Sequence, residues 1–189
     1  MVMRVIAGTW RGRRLVAPRG LTTRPSTARL REAMFSALGP AVREAVVADV
    51  FAGSGALGIE SLSRGARHVT FVEHHARAVD AIEANLRTLE VPGEAVHIVR
   101  HDAWDWLDRL DAGPIGDVRV VLADPPYDET AVPALLPRAA GWVQSGALDT
   151  FVLEHPAGSE PPLDEDGLRV RTRRHGRGAF TIVERAPSR

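Results

Sequence analysis

Short apolar segments alternate with amphipathic segments along most of the chain. Residues 46–51 and 118–123 contain few polar side chains, which is typical of strands buried on both faces of a parallel sheet. In the intervening segments, apolar residues recur at helical spacing. In the segment 76–89, the residues expected to face the sheet are Val79, Ile82, Leu86 and Leu89. The alternation predicts an α/β fold with an open, mostly parallel sheet.

The same pattern gives the bounds of the predicted elements. Strands are predicted at residues 46–51, 68–73, 95–100, 118–123, 150–154, 168–174 and 179–184, and helices at 56–64, 76–89, 103–110 and 131–140. The segment 175–178 (HGRG) between the last two strands is typical of a tight hairpin turn. The sheet should therefore end in an antiparallel hairpin. Its ligand crevice should lie at the carboxyl ends of the parallel strands.

The beginning of the chain has a different pattern. Residues 4–7 and 13–16 predict a short hairpin, because two glycines and a threonine between them supply a turn. A helix is predicted to begin at Ser26 or Thr27, whose side chains can cap its first turn, and to end at Leu38. We therefore expect a small hairpin-and-helix extension before the α/β fold.

Length and composition restrict the class of protein. The chain has 189 residues, of which 44% are hydrophobic and 25% charged, as in soluble globular proteins. We divide it into the N-terminal extension, residues 1–38, and an α/β domain, residues 39–189. No apolar run approaches the roughly 18 residues that cross a bilayer, and the N-terminus lacks the apolar segment of a signal peptide. These features predict a cytoplasmic protein that does not bind a membrane.

The formal net charge of zero conceals an uneven distribution. All 24 basic residues are arginine; residues 1–31 carry eight of them and no acid, and residues 169–189 carry seven and one acid. The segment between them has nine arginines and 23 acidic residues. Two basic ends flanking an acidic middle indicate a polyanionic partner.

The N-terminal arginines are the better candidates for RNA phosphate contacts, with a solvated basic face as the alternative. The residues predicted to contact RNA are Arg4, Arg11, Arg13, Arg14, Arg24, Arg29 and Arg31. For the C-terminal arginines the two interpretations are equally supported. These are Arg169, Arg171, Arg173, Arg174 and Arg177.

Missing residue types exclude several chemistries. Without cysteine the chain has no disulfide, no thiolate metal site and no thiolate nucleophile. Without lysine it has no Schiff base and no P-loop lysine. No metal site is predicted, because adjacent His74 and His75 point to opposite faces of an extended segment, and His97 and His101 lie four residues apart on a strand. Catalysis must depend on carboxylates, backbone groups, hydroxyls, arginine or histidine.

A glycine-rich loop follows the first predicted strand of the α/β domain. Gly53, Gly55 and Gly58 form G-x-G-x-x-G between a strand and a helix, where glycine lets the backbone turn sharply and approach a ligand. The pattern fits NAD, FAD or S-adenosylmethionine. Asp49 favours S-adenosylmethionine, because a carboxylate there can hold the ammonium group of its methionine moiety, which NAD lacks. Glu73, at the end of the next strand, can accept from both ribose hydroxyls of either cofactor.

A further acidic residue, Asp102, follows the third predicted strand. It is placed to accept from an adenine amino group, with the backbone N–H of Ala103 contacting the ring. Asp102 is also suited to cap the following helix, and the two roles are compatible. Phe51 and His74, which flank the loop and Glu73, complete the predicted cofactor-binding set.

The fourth predicted strand runs into the most specific feature of the sequence, DPPY at 124–127. Two prolines stiffen the backbone and remove two N–H donors, so that carbonyl groups can point into the crevice. Asp124 and the Pro125 carbonyl can accept both hydrogens of an exocyclic amine, and Tyr127 can stack on an extruded base. Such positioning aims the lone pair of a weakly nucleophilic amine at a methyl donor. A proline-rich surface turn is the alternative.

Together these motifs resemble those of a known family. The glycine loop, the acid after the second strand and DPPY are similar to the class I S-adenosylmethionine-dependent methyltransferases that modify amino groups. Over residues 4 to about 185 the chain resembles more specifically the bacterial RsmD-type guanine-N2 methyltransferases of 16S ribosomal RNA. The segments that carry this closer resemblance are 4–13 (RVIAGTWRGR), 24–32 (RPSTARLRE), 51–58 (FAGSGALG) and 124–127 (DPPY).

The resemblance implies a Rossmann-like class I methyltransferase sheet and methyl transfer from S-adenosylmethionine to N2 of a specific guanine. It implies a substrate of assembled or nearly assembled 30S subunits rather than naked RNA. Asp124, Pro125 and Tyr127 would be the catalytic residues. We expect the protein to be a monomer without a metal.

Two other functions remain open from the sequence. DNA adenine-N6 and cytosine-N4 methyltransferases use the same four-residue loop, although they usually carry an added recognition domain. A non-catalytic RNA-binding module is the second alternative, against which the intact glycine loop, Glu73 and DPPY argue.

Overall fold

The computed structural model describes residues 3–18, 28–126, 131–159, 163 and 166–186. Two predicted site residues, Arg24 and Tyr127, lie outside the described residues. The two candidate caps of the first helix, Ser26 and Thr27, do so as well.

Strands and helices alternate through the α/β domain as predicted. The strands are β1 (Met3–Arg4), β2 (Arg14–Leu15), β3 (Val46–Val50), β4 (His68–Val72), β5 (Val96–Val99), β6 (Val120–Ala123), β7 (Thr150–Pro156), β8 (Leu168–His175) and β9 (Gly178–Arg185). The α-helices are α1 (Ala28–Leu38), α2 (Ala56–Ser63), α3 (Ala76–Thr88), α4 (Ala103–Asp108) and α5 (Ala131–Ser145).

Seven of the strands in the described residues form one sheet, in the order β5-β4-β3-β6-β7-β9-β8. Strands β3 to β7 are parallel, and β9 pairs antiparallel with both β7 and β8. The predicted mostly parallel sheet with a terminal antiparallel hairpin is confirmed. The loops after β3, β4, β5 and β6 leave the sheet at one edge, which we call the carboxyl edge; the opposite one is the amino edge.

Successive residues of the strands face two separate cores. Val47 and Leu122 belong to a buried cluster with residues of α1, α2 and α3, whereas Val50 and Leu153 belong to a second cluster with α4 and α5. All four side chains are fully buried. Burial on both faces, at about 1.5–3 kcal/mol for each large aliphatic side chain, explains why these strands contain so few polar residues.

The N-terminal extension is part of the first of these cores. Val5, Leu15, Leu30 and Met34 are each at most 6% exposed and belong to the same cluster as Val47. The extension and the α/β domain therefore pack as one unit, although the sequence pattern changes between them.

Two predicted elements have different bounds in the structure. Among the described residues, the N-terminal hairpin pairs Met3 with Leu15 and Arg4 with Arg14. Val5 still donates to the Arg13 carbonyl at 3.0 Å, but the N–H groups of Ile6 and Ala7 are bonded to Glu60 of α2, so the strand ends there. Helix α5 extends five residues beyond the predicted end at residue 140 despite the internal Pro137. Its apolar stripe continues through Val143, which is fully buried.

The buried face of α3 also differs from the prediction. Ile82, Leu86 and Leu89 are buried as expected, whereas Val79 is half-buried. The polar side chain of Asn85, 1% exposed, occupies an inward position. None of the described helices is long and apolar enough to span a membrane.

Candidate functional site

Four adjacent strands bring the predicted site residues together at the carboxyl edge. Across the sheet from β5 to β6, the residues that follow the strands are Asp102, Glu73, the glycine loop and Asp124. Because neighbouring strands lie about 4.8 Å apart, this row is about 14 Å long. Residues spread over more than 70 positions of the chain thus line one edge.

The glycine loop has the backbone that its residue types require. Gly53 and Gly55 have positive φ angles of 56° and 75°, and Phe51 has an unusual positive φ of 61° for a residue with a Cβ. Gly55 begins α2 as its N-cap. A Cβ on Gly58 would lie 2.3 Å from Phe71 Cε1, so glycine there is required for close packing of α2 on β4.

The predicted ligand of the methionine moiety, Asp49, is 1% exposed. Its Oδ2 accepts from the backbone N–H of Gly58 at 2.8 Å, in the first turn of α2. Burial raises the pKa of Asp49 to about 8, the charge of Glu73 adds to the rise, and the bond from Gly58 opposes it. Asp49 therefore retains a proton at neutral pH, and a nearby ammonium group would favour its ionised form.

Glu73 connects the loop to the end of the next strand. It is 6% exposed, and its two oxygens accept from the backbone N–H of Gly53 at 2.9 Å and of His75 at 2.8 Å. Nδ1 of the exposed His74 lies 3.5 Å from Glu73 Oε1. A carboxylate has about four acceptor positions, so Glu73 keeps capacity for two ligand hydroxyls beyond these bonds.

Asp102 is the N-cap of α4. Its Oδ1 accepts from the backbone N–H groups of Trp104 and Asp105 at 2.8 and 3.3 Å. Asp102 therefore caps the helix, as its residue type and position suggested. Within the described part of the chain, no hydrogen bond to its other oxygen, Oδ2, is found. An adenine amino group can therefore bind Asp102 without breaking the cap. Ala103, 2% exposed, starts the helix.

The predicted catalytic segment lies directly beside the glycine loop. Val50 pairs with Ala123, and the backbone N–H of Asp124 is 3.4 Å from the Val50 carbonyl. Asp124 is half-buried and Pro125 is buried. The chain therefore places a carboxylate next to the loop that would hold a cofactor.

The space over the loop fits S-adenosylmethionine. A Cβ built on Gly53 has a single neighbour within 4 Å, the Phe51 carbonyl at 3.9 Å, so the backbone is open to close approach by a ligand. An oxygen of Glu73 is bonded to the loop at Gly53, the buried Asp49 is bonded to it at Gly58, and Asp102 follows β5, two strands away. These acceptors suit hydroxyl, amino and ammonium groups.

Most of the N-terminal arginines are exposed, as expected of residues that contact phosphate. The exposed ones in the described residues are Arg4, Arg11, Arg13, Arg14 and Arg29. Arg4 and Arg13 also donate to the carbonyls of Gly12 at 2.8 Å and Thr88 at 2.6 Å.

Arg31 differs from this prediction and requires a correction. It is 1% exposed, and its Nη2 donates to the Arg4 carbonyl at 2.6 Å. Burial lowers the pKa of Arg31, and the carboxylates of Glu60 and Glu154 counteract that effect. A guanidinium enclosed in this way holds the hairpin in place and does not reach a phosphate.

Sequence reasoning missed the side chains that bind the N-terminal extension. Glu60 Oε2 and Oε1 accept from the N–H groups of Ile6 at 2.8 Å and Ala7 at 3.0 Å. Ser63 Oγ donates to the Ala7 carbonyl at 2.6 Å. The available signal was a set of polar residues on an otherwise apolar helix, since Glu60, Ser61 and Ser63 are all buried in α2.

Asn85 is a third such residue, on α3. Its Nδ2 donates to the carbonyls of Val16 and Ser54, both at 3.0 Å, and its Oδ1 accepts from the Val16 N–H at 2.7 Å. One side chain thus joins the N-terminal extension to the glycine loop.

A groove of about 540 Å³ lies at the amino edge, away from these motifs. It is lined by residues of β3, β4 and β5, among them His68 and His97, and by Trp106 of α4. Burial lowers the pKa of His68, and the charges of His97 and Arg67 lower it further. The groove is an open depression at the end of the sheet opposite to the ligand crevice of α/β folds. Among the described residues no group of three or more histidine, aspartate or glutamate side chains could hold a metal ion.

Comparison with known proteins gives a consistent set of relatives. A family profile described as "Conserved hypothetical protein 95" matches residues 3–184. "Putative rRNA methyltransferase YlbH" of Bacillus subtilis is 42% identical over 71% of this chain and 72% of its own length. "Ribosomal RNA small subunit methyltransferase D" of Haemophilus influenzae is 38% identical over 66% of this chain and 64% of its own length, so the match spans just under two thirds of that protein.

The solved structure of "Putative methyltransferase yhhF" from Escherichia coli is similar throughout. It has a TM-score of 0.75 and 30% sequence identity, with 98% of each chain covered. The fold predicted for the α/β domain and its N-terminal extension is confirmed.

Proposed function

This chain belongs to the family described as Conserved hypothetical protein 95, and from that premise we propose that it transfers a methyl group from S-adenosylmethionine to the exocyclic N2 of a guanine in 16S ribosomal RNA. The substrate that we propose is the 30S subunit, assembled or nearly so. The named relatives include a ribosomal RNA small subunit methyltransferase, which supports the substrate class.

The observation that carries the proposal is the order of groups along the carboxyl edge. Asp102, Glu73, the glycine loop and Asp124 follow one another across four adjacent strands. S-adenosylmethionine consists, in sequence, of adenine, ribose and a methionine moiety that carries the sulfonium methyl. The order of the residues thus matches the order of the groups that they would bind, with Asp124 beside the methyl.

Each residue has a role that follows from its position. Asp102 accepts from the adenine amino group through Oδ2, and Glu73 accepts from the ribose hydroxyls. Asp49 supports the loop through Gly58 and balances the ammonium charge of the methionine moiety. Once bound, S-adenosylmethionine supplies an electrophilic methyl group on a sulfonium.

Asp124 and Pro125 act on the accepting nitrogen. The lone pair of the guanine amino group is delocalised into the ring, so the free base is a weak nucleophile. The Asp124 carboxylate and the Pro125 carbonyl accept hydrogen bonds from its two N–H groups, which turns the lone pair out of the ring plane and toward the methyl. As the carbon–nitrogen bond forms and the carbon–sulfur bond of the sulfonium breaks, the nitrogen would release one hydrogen as a proton to the Asp124 carboxylate and the thioether would leave. Positioning effects of this kind contribute up to about 7–11 kcal/mol in the best intramolecular cases.

The test is methyl transfer by Asp124→Ala. With labelled cofactor and small subunits from cells lacking the gene for this chain, we expect transfer to fall by about a hundredfold or more, because the amine loses one acceptor. Cofactor affinity measured by calorimetry should stay within about twofold. Asp117→Ala, which removes an exposed carboxylate near the amino edge, is the matched control and should leave both quantities unchanged.

Mass spectrometry of the labelled RNA should locate the methyl on guanine N2. Loss of cofactor binding in Asp124→Ala would assign this carboxylate to the cofactor instead of to the amine. Labelling of duplex DNA in place of small subunits would overturn the proposed substrate.

A further inference from the structure

Four of the five C-terminal arginines that sequence patterns leave undecided fall into two groups. Arg169 and Arg171 lie 3.6 and 3.1 Å from the carboxylate of Glu184. Arg171 also donates to the Ala37 carbonyl at 2.9 Å, which joins β8 to the end of α1. These two arginines are engaged within the protein. Arg169 lies at the amino edge, since Glu184, its partner in register on β9, pairs with Thr150 at the start of β7.

Arg173 and Arg177 form the second group, which we call the tip arginines. Both side chains are exposed, and neither makes a side-chain hydrogen bond or ion pair within the described part of the chain. Arg173 pairs in register with Phe180, and Arg177 lies in the turn between β8 and β9. Along β8, Arg173 is four residues from Arg169, a distance of about 13 Å toward the carboxyl edge.

The turn that carries Arg177 lies beside the proposed catalytic segment. Ala123 pairs with Leu153, so Asp124, the next residue, lies near the end of β7. The last residue of β7, Pro156, pairs with Gly178. From β6 to β9 there are two strand spacings, about 10 Å in all. Nucleotides flanking a base at Asp124 would therefore pass the tip arginines.

The N-terminal arginines approach the same edge from the adjoining helix. Arg31, in the first turn of α1, interacts electrostatically with Glu154, which pairs with Phe180 and is thereby level with Arg173. Phe180 and α1 belong to the same core, so Arg173 lies on the face of the sheet that α1 covers. The exposed Arg29 is on this first turn.

We propose that the tip arginines bind phosphates of the ribosomal RNA next to the methylated base, and form one continuous surface with Arg4 and Arg29. This inference rests on the proposed function, because it takes its RNA from there. Two segments of the chain separated by at least 144 positions would then hold a single strand on either side of Asp124. Exposed guanidinium groups at this position would attract the phosphates of RNA whatever its base sequence.

The test compares two double variants with equal loss of charge. Arg173→Gln/Arg177→Gln removes the tip arginines, and Arg67→Gln/Arg169→Gln removes two exposed arginines from the amino edge, each with an acid partner at 3.7 or 3.6 Å. Binding to small subunits lacking the modification is measured between 50 and 200 mM salt. Each lost phosphate contact should reduce the slope of log affinity against log salt by about 0.7–0.9.

For the tip variant we expect that slope to fall by about 1.5 and the KM for subunits to rise about tenfold, with kcat and cofactor affinity within twofold of the parent. The amino-edge variant should match the parent in the salt slope, the KM for subunits, kcat and cofactor affinity. Equal slopes for the tip variant and the parent would overturn the proposed surface, whether or not methyl is transferred. A parent protein that binds subunits through the tip arginines but transfers no methyl would overturn the proposed function alone.

Discussion

The two arginine-rich ends of the chain are held on the protein by different interactions. The C-terminal hairpin continues the main sheet, with eight residues of β8 paired to eight of β9. The N-terminal hairpin has only two paired positions and is held by side chains of the α/β domain. Glu60, Ser63 and Asn85 supply these contacts, which go to backbone groups between Ile6 and Val16.

The two hairpins differ in how strongly their attachment to the protein depends on particular side chains. A ladder of backbone bonds forms with almost any sequence of suitable strand propensity, so the C-terminal hairpin is insensitive to substitution of its exposed residues. A buried carboxylate that accepts backbone N–H groups is much less tolerant of substitution. Its loss leaves those donors unpaired and removes one of the two carboxylates that counteract the burial of Arg31. The N-terminal hairpin should therefore be the easier of the two to dislodge.

The largest effect is expected from Glu60→Ala. Glu60 is 1% exposed and accepts from Ile6, Ala7 and the Nε of Arg64, the last at 2.8 Å. Removing one partner of a buried charged network costs about 3–5 kcal/mol, and we expect a loss of that size in the free energy of unfolding in urea. Hydrogen exchange at the Ile6 and Ala7 amides should accelerate in parallel.

Glu184→Ala is the corresponding change in the C-terminal hairpin. Its carboxylate is 19% exposed and contacts two arginines, and partly exposed ion pairs contribute about 0–1 kcal/mol. If Glu60→Ala and Glu184→Ala lost equal amounts of unfolding free energy, the two hairpins would depend equally on their carboxylates.

A smaller effect is expected from glycine-to-alanine changes in the two hairpins. Gly8 and Gly176 both have positive φ, of 82° and 64°, so alanine at either position incurs about 1–2 kcal/mol of backbone strain. A Cβ on Gly8 would also lie 1.7 Å from the Ser63 carbonyl oxygen, whereas nothing lies within 4 Å of one on Gly176. We expect Gly8→Ala to lose a further 1–3 kcal/mol or so, measured by urea unfolding.

Gly12→Ala serves as the control within the N-terminal hairpin itself. Gly12 has a φ of 83° and open space around its Cβ position, so the variant should behave like Gly176→Ala. If Gly8→Ala lost no more stability than Gly12→Ala, close packing on α2 would not be what holds the hairpin.

Hydrophobic periodicity was sufficient to predict the sheet, because both faces of its central strands are covered. An almost unbroken apolar run such as Val120–Ala123 has few other structures available to it. The positions of Asp102, Glu73 and Asp124 after successive strands followed from the same alternation, since parallel strands end at one edge. Asp102 as a helix cap was predictable from its residue type and place.

The polar contacts of the N-terminal hairpin could not be predicted in this way. Ile6 and Glu60 are 54 positions apart, and nothing in the local sequence of either residue indicates the other. Arg31 was assigned to RNA because it lies in a run of arginines, and only the packing of α1 on the sheet shows that it is buried. Long-range pairing of buried polar groups depends on the assembled fold.

Of the three changes that test how the N-terminal hairpin is attached, Asn85→Ala should have the smallest effect, and it also tests whether this hairpin influences the glycine loop. Asn85 binds Val16 and Ser54 at once, so its loss should release the end of the hairpin and one carbonyl of the glycine loop. Val16 is exposed and water can replace part of what is lost, so we expect only about 1–2 kcal/mol in the free energy of unfolding.

The more informative measurement on this variant is the affinity for S-adenosylmethionine. Without the bond to the Ser54 carbonyl, the glycine loop should be less well ordered, and the Kd measured by calorimetry should rise several-fold. Asn85 would act through the loop, because it lies beneath it. Thr88→Ala, which removes an exposed hydroxyl bonded within α3, is the matched control and should leave the Kd unchanged. A stability loss in Asn85→Ala with an unchanged Kd would restrict Asn85 to holding the hairpin. The two hairpins would then differ in how they are attached, and the N-terminal hairpin would not influence the cofactor site.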